Sequence, residues 1–221
     1  MIEDFISLLF PRYCLVSGAP LAKGEQFIAT NIVMQLPKHE LNSETVAQKF
    51  YGKVSLQHAF AYYKFIKGGN VQKILHALKY RNCPELGLML GGWFGYALKE
   101  TGYTFDILIP VPLHKTRLRQ RGYNQSDKIA EGMAAIMETA WADDIVVRTQ
   151  KTITQTGKDR IERFENVSNI FSLVKPEAIE GKHVLVIDDV VTTGSTLETC
   201  VMAVSEGNCV SVSVAALASA E

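Results

Sequence analysis

The chain has 221 residues, 47% of them hydrophobic and 21% charged, which suits one α/β domain with an appendage and excludes a disordered chain or a series of enzymatic domains. Twenty-three basic residues balance 23 acidic ones, so no global field attracts nucleic acid and any such contact has to be local.

The four cysteines, Cys14, Cys83, Cys200 and Cys209, form no CxxC pair, unlike a disulfide framework or a zinc ribbon. Reduced thiols in the cytoplasm are expected. Glu3 and Asp4 stand where a secretory signal needs basic residues, and no run approaches the ~18 apolar residues of a membrane span.

In chain order, residues 1 to about 50 are broken by Gly18, Pro20, Gly24 and Pro37 into short irregular pieces. This predicts an N-terminal appendage over 1–52 and a main domain over 53–221. Residues 54–65 are rich in aromatics and β-formers, Gly68, Gly69 and Asn70 make a turn, and 71–80 carry helical spacing at Ile74, Leu75 and Leu78. Pro84 suits a first helical turn before Leu86, Leu90, Trp93, Phe94 and Ala97, although Gly87, Gly91, Gly92 and Gly95 oppose a helix there. Residues 105–109 read as a buried strand ended by Pro110, Val111 and Pro112. A helix follows over 126–140, then a β-like run over 144–148, which together suggest a βαβ unit. After a polar stretch come a strand at 184–187, a helix over about 195–205 and a strand at about 210–217. Strands alternating with helices predict a mainly parallel sheet flanked by helices.

The run Val184, Leu185, Val186, Ile187 is apolar throughout and meets Asp188 and Asp189, which places two carboxylates at the carboxyl end of a strand covered on both faces. Ligands of open α/β sheets bind at that edge. Thr192, Thr193, Gly194, Ser195 and Thr196 then lead into a helix, so backbone N–H groups and hydroxyls can converge on one anion. The lysine of a Walker A loop is missing, and a monophosphate beside ribose hydroxyls fits better than a triphosphate. Taken singly, the acids could start a turn and the hydroxyl residues cap a helix.

Two further segments carry polar chemistry. Pro112, Leu113, His114, Lys115, Arg117, Arg119 and Arg121 lie just past a strand end. They form a basic loop able to hold pyrophosphate, or a solvated loop, or a single-strand DNA patch with Tyr123. The stretch with Gln155, Lys158, Arg160 and Arg163 is long and polar, a candidate lid or an ordinary connector.

The order of apolar strand, two acids and TTGST resembles the signature that binds 5-phosphoribosyl-1-pyrophosphate (PRPP) in type I phosphoribosyltransferases. The three segments together resemble the ComF family, which includes ComFC competence proteins and GntX-like proteins, over residue 105 to the end. The resemblance implies a type I phosphoribosyltransferase fold. It implies Asp188 and Asp189 on the ribose hydroxyls, residues 192–196 on the 5-phosphate, the basic loop on pyrophosphate and the polar stretch as lid. Magnesium would arrive with PRPP rather than in a protein site. The implied activity is transfer of phosphoribosyl to an unidentified acceptor with release of pyrophosphate, in nucleoside metabolism or natural competence. The alternative is a PRPP-binding module that does not turn over and engages partners of DNA uptake, such as a competence helicase. ComF proteins usually carry a four-cysteine zinc ribbon near the N-terminus. Here only Cys14 and Gly18 remain of its first CxxCG, Ser17 replaces the second cysteine, and the second pair falls on positions such as Ala29 and Ile32. No zinc is expected.

Overall fold

The computed structural model describes residues 11–41, 44–149 and 170–220. Numbered along the chain, the strands are β1 (Ala59–Phe65), β2 (Ile107–Pro110), β3 (Ala140–Trp141), β4 (Val146–Arg148), β5 (Phe171–Leu173), β6 (His183–Val191) and β7 (Ser211–Ala220). Five of them form one sheet in the order β1-β7-β6-β2-β3, and each neighbouring pair is parallel. Two short helices, α1 (Thr30–Val33) and α2 (Glu44–Ala47), precede the sheet. The longer ones are α3 (Asn70–Tyr80), α4 (Pro84–Glu100), α6 (Gln125–Met137) and α7 (Ser195–Val204), with α5 (Lys115–Arg121) between β2 and α6.

The alternation of β6 explains the layers. Leu185 and Ile187 pack with Ile74, Leu78, Leu90, Phe94, Ile129 and Met133 from α3, α4 and α6. Val184 and Val186 pack on the other face with Leu197, Cys200, Val201 and Val204 of α7. A strand buried on both faces must be apolar without interruption, which is why this run was legible as a central strand.

Two expectations are corrected. The run at 144–148 does not continue the main sheet. The strand that follows α6 in that sheet is the two-residue β3, whereas β4 pairs antiparallel with β5, Val146 opposite Leu173 and Arg148 opposite Phe171. A three-residue strand carries no periodicity that reveals its partner. The central strand also does not stop at the acids. β6 runs to Val191 and keeps pairing with β7, Asp188 opposite Ala216 and Val191 opposite Ser219, so both carboxylates sit within a hydrogen-bonded strand.

The glycines of α4 turn out to be contacts. A Cβ on Gly91 would lie 2.2 Å from the Ile129 carbonyl oxygen, one on Gly132 would lie 2.2 Å from that of Leu88, and one on Gly95 would meet the Met133 backbone at 2.8 Å. α4 and α6 therefore cross at backbone distance, and packing outweighs the weak helix propensity of glycine.

Residues of the N-terminal region share the core of the sheet. The Cys14 N–H donates to the Ala19 carbonyl (2.8 Å), that of Gly18 to the Cys14 carbonyl (2.9 Å), and that of Ala29 to Cys14 Sγ (3.4 Å). Cys14, Val16, Ile28 and Leu36 are buried in the same cluster as α3 and α4. All four cysteines are free thiols. Among the described residues no helix is long and apolar enough to cross a membrane.

The α4–α6 contact yields a paired prediction. Gly91→Ala should destabilise the protein by about 1–3 kcal/mol, because the methyl group has only backbone to displace. Gly92→Ala, whose Cβ would meet nothing nearer than Ile136 Cγ1 at 3.7 Å, should be neutral or gain up to about 1 kcal/mol from helix propensity. Thermal melts of the two neighbouring variants check this.

Candidate functional site

From β2 the chain moves to β3 on one side, while β6 lies on the other with β7 and β1 beyond it. The strand order thus reverses between β2 and β6, where loops leaving the carboxyl ends diverge and open a crevice. The structure makes that crevice by length. β2 ends at Pro110 opposite Ile187, and the Val111 N–H makes one last bond to the Ile187 carbonyl (2.8 Å). β6 continues for four residues more, so Asp188 and Asp189 stand on the open flank that β2 has vacated.

Successive strand residues point to opposite faces, and the two acids have different partners. Asp189 is buried on the α3 side, where Lys79 Nζ lies 2.9 Å from its Oδ2. Asp188, half-buried, accepts from Ser126 Oγ (3.1 Å) and from the Asp189 N–H (2.8 Å) through Oδ1. Burial, followed by the adjacent Asp189 charge, pushes the Asp188 carboxyl well above the ordinary carboxylate range, and the two hydrogen bonds and Lys79 only partly offset this.

The residues after β6 form a pit lined by Asp188, Val190, Val191, Thr192, Thr193, Gly194, Ser195, Thr196 and Leu197. Gly194 is the turn point, with φ at +87°, and its Cβ position lies 3.1 Å from the ring of Phe50. The left-handed angle and the ring both require glycine. Thr193 Oγ1 and Ser195 Oγ are 3.0 Å apart at the start of α7, while Thr192, Thr193, Ser195 and Thr196 are all exposed. Lys53 Nζ donates to the Thr193 carbonyl (3.3 Å) and stands 3.7 Å from Glu198, so residues 50–53 brace the loop from behind.

Across the crevice, the predicted basic loop is in part a helix. His114 Nδ1 accepts from the Thr116 N–H (3.2 Å), α5 spans Lys115–Arg121, and Gly122 at φ +80° ends it. Seven residues without a buried side chain leave no apolar stripe, so the segment gave no helical period. Its C-terminal side is fixed firmly. Asn124 Nδ2 donates to the Val111 carbonyl (3.0 Å) and Asn124 Oδ1 caps α6 at the Ser126 N–H. The Tyr123 hydroxyl donates to the Leu78 carbonyl. Arg121 donates to Gln125 Oε1 (2.6 Å) and lies over the Tyr80 ring at 5.4 Å. Pro112, Leu113 and His114 are half-buried between β2 and α5, whereas Lys115, Arg117 and Arg119 are exposed.

The structure thus brings together Asp188, Asp189 and residues 192–196 on one side with Arg117 and Arg121 on the other. The predicted lid residues Gln155, Lys158, Arg160 and Arg163 lie outside the described residues. Four residues at the site were not anticipated from the sequence. Lys79 and Ser126 touch the acids, and Phe50 supports Gly194. Arg148 packs over Phe171 at 5.3 Å, its proton affinity lowered by burial and by Arg117 and supported by Asp188. Each comes from an element remote in sequence from the acids, so no local pattern marks it as part of the site. Among the described residues no three His, Cys, Asp or Glu side chains converge to hold a metal.

The sequence family described as phosphoribosyl transferase domain matches residues 127–221, which include β6, its two acids and the 192–196 loop. The DNA utilization protein YhgH of Shigella flexneri is 34% identical over 129 residues, covering 56% of this chain and 56% of that protein, so the match spans about half the length of that relative. Competence protein F of Haemophilus influenzae is 39% identical over 93 residues, covering 42% of this chain and 41% of that protein. Competence protein ComFC of Bacillus subtilis is 33% identical over 91 residues, covering 41% and 35%. A solved glutamine PRPP amidotransferase from B. subtilis superposes on 63% of this chain and 26% of its own, with 20% identity and a TM-score of 0.42. The matched family over residues 127–221 and the parallel sheet order carry the assignment of a phosphoribosyltransferase-like fold, and the relatives show that the chain is similar to proteins of DNA utilisation and competence.

Proposed function

We propose that this protein binds PRPP with magnesium in the crevice between β2 and β6 and transfers the phosphoribosyl group to an acceptor, releasing pyrophosphate. One observation carries the reading. Asp188 and Asp189 are displayed on β6 beyond the end of β2, between an anion-sized hydroxyl loop at the start of α7 and the cations of α5. A ligand with a phosphate at one end, a diol in the middle and a pyrophosphate at the other matches that sequence of groups.

In this reading Thr192, Thr193, Ser195 and Thr196 receive the 5-phosphate with their hydroxyls and backbone N–H groups, Gly194 allowing the turn. Asp188 and Asp189 accept the two ribose hydroxyls. Breaking the bond from C1 to pyrophosphate develops positive charge on the ring, which the fixed carboxylates stabilise, and negative charge on the leaving group, which Arg117, Arg121, His114 and Lys115 stabilise. Magnesium, when bound, screens the pyrophosphate and polarises its oxygens, and the hard carboxylate oxygens beside it suit that ion. Gln155, Lys158, Arg160 and Arg163, which lie outside the described residues, take the role of lid in this reading through the family resemblance alone. In this reading the protein works in the cytoplasm, in DNA utilisation or natural competence, a role that the names of its relatives support.

Two binding measurements test the proposal. Calorimetry should detect PRPP binding with magnesium and lose it with a chelator, and equal affinity in both conditions removes the metal. Asp188→Asn combined with Asp189→Asn should weaken PRPP by at least about ten- to hundredfold, since even one charge-assisted bond lost is worth roughly 1.5–3 kcal/mol. Unchanged affinity defeats the reading.

Asp188→Asn alone should raise the melting temperature of the ligand-free protein. The folded carboxyl has a raised pKa, so its ionised form is penalised in the fold. That penalty is complete above the folded pKa and disappears as pH falls to the ordinary carboxylate range, below which folded and unfolded chains are both protonated. The gain should therefore be larger in mildly alkaline than in mildly acidic buffer, and thermal melts at both conditions check it. Elemental analysis should find no stoichiometric zinc, as Cys14 has no other cysteine at the ligand positions of the family.

A further inference from the structure

We infer that Lys79, which lies outside every segment of the motif, is a pyrophosphate-contacting residue held in reserve by Asp189. Its ammonium neutralises the carboxylate in the free protein and passes to the leaving group when PRPP binds. The inference rests on the PRPP reading and adds a residue and a partner exchange to it.

Lys79 belongs to two environments. Its Nζ is 2.9 Å from Asp189 Oδ2, with the two side chains 22% and 12% exposed. It also lines, with Tyr80, Asn82, Arg117, Gln120 and Arg121, a cleft of about 490 Å³. The cleft lining contains three cations and no acid, so its field selects an anion. The ion pair therefore forms the wall between the carboxylates and the anion cleft, where the bond from ribose to pyrophosphate has to lie.

The backbone at Lys79 is fixed on both sides. The residue before it, Leu78, receives the Tyr123 hydroxyl at its carbonyl, and the residue after it, Tyr80, lies under the Arg121 guanidinium. The end of α3 is thereby tied to the segment that carries Arg117 and Arg121. What can move is the four-carbon stem, which lets an ammonium change partner without any backbone shift.

Charge decides the direction of the exchange. While Lys79 pairs with Asp189, it cancels the negative charge that a cation-like ribose ring needs. Ribose hydroxyls arriving at Asp189 replace the donors that the ammonium supplied, and pyrophosphate offers that ammonium a more highly charged partner a few ångströms away. After the exchange Asp189 faces developing positive charge and Lys79 faces developing negative charge, so neither is left buried without a partner. No bond to Lys79 is made or broken.

Calorimetry on full-length Lys79→Gln with PRPP, inorganic pyrophosphate and ribose 5-phosphate, each with magnesium, separates this role from a structural one. PRPP and pyrophosphate should weaken about tenfold or more, while ribose 5-phosphate should bind as well as before or better, because its hydroxyls no longer compete with an ammonium for Asp189. Lys79→Arg, which keeps the charge and guards against loss of folding, should restore most of the PRPP affinity. A parallel loss for all three ligands would mean that Lys79 only holds Asp189 in place, and unchanged PRPP affinity would remove it from the site; either result overturns the inference. Wild-type protein that ignores PRPP altogether overturns the parent reading as well, and is told apart by needing no variant.

Discussion

The pairing of β6 with β7 beyond the end of β2 is the constraint on which the site depends. Without the ladder from Asp188 to Val191, the two acids would belong to a loop, and their separation from the 192–196 turn would vary. Held in the ladder, they have fixed positions and different partners. One reaches the helix layer of α3 and the other the start of α6. The same ladder delivers the chain to Gly194 at a set height, where a left-handed residue under the Phe50 ring starts α7. Backbone hydrogen bonds therefore position a polar site that has few direct side-chain bonds of its own.

The N-terminal segment contributes to that positioning. Val46 and Phe50 are buried in the α7-side cluster, Lys53 holds the Thr193 carbonyl, and Lys49 donates to the Ala220 carbonyl (2.6 Å) at the end of β7. Further upstream, the turn around Cys14 keeps its sulfur-centred hydrogen bond from Ala29 while Val16, Ile28 and Leu36 bury themselves against α3 and α4. Burial raises the pKa of the Cys14 thiol, but hydrogen bonds from Ser17 and from the backbone of Ala29, Ser17 and Val16 outweigh it and leave a net lowering. Apolar packing onto the domain face is thus available as the stabilising interaction of this segment.

Much of the fold was legible because its decisive elements obey strong local rules. A strand covered on both faces has to read as unbroken hydrophobic sequence, a glycine-rich hydroxyl turn has to follow it if a helix N-terminus is to meet an anion, and Pro84 announces its helix. What was not legible has a different origin. α5 is seven residues with no buried face, so no period marks it. Gly87, Gly91 and Gly95 read as helix breakers until the backbone of α6 is placed against them. Lys79, Ser126, Arg148 and Phe50 are ordinary residues of their own elements, and only the tertiary packing of α3, α6, β4 and the N-terminal segment brings them to the site. The carboxylates themselves were found, but their place inside the strand was not, since an apolar run shows where burial ends and leaves the end of pairing unmarked.

That last difference bears on how the free site stores energy. Two adjacent carboxylates share one crevice, and the near ammonium, Lys79, serves Asp189 directly and Asp188 only at a distance. Hydrogen bonds from Ser126 and the Asp189 N–H leave Asp188 under-compensated, hence its raised pKa. A fold optimised for stability would place an amide or an apolar residue there, as like charges with one cation between them are costly to bury. On the proposed reading a ligand completes the set, because hydroxyl donors, a divalent cation and a ring that becomes positive are each stabilised by the same carboxylate. Stability given up in the ligand-free state would then be recovered in the complex, and most strongly where the bound sugar carries positive charge. The raised Asp188 pKa and the proposed stabilisation of an oxocarbenium-like ring would both follow from one arrangement, the display of two acids on a strand that outlasts its neighbour.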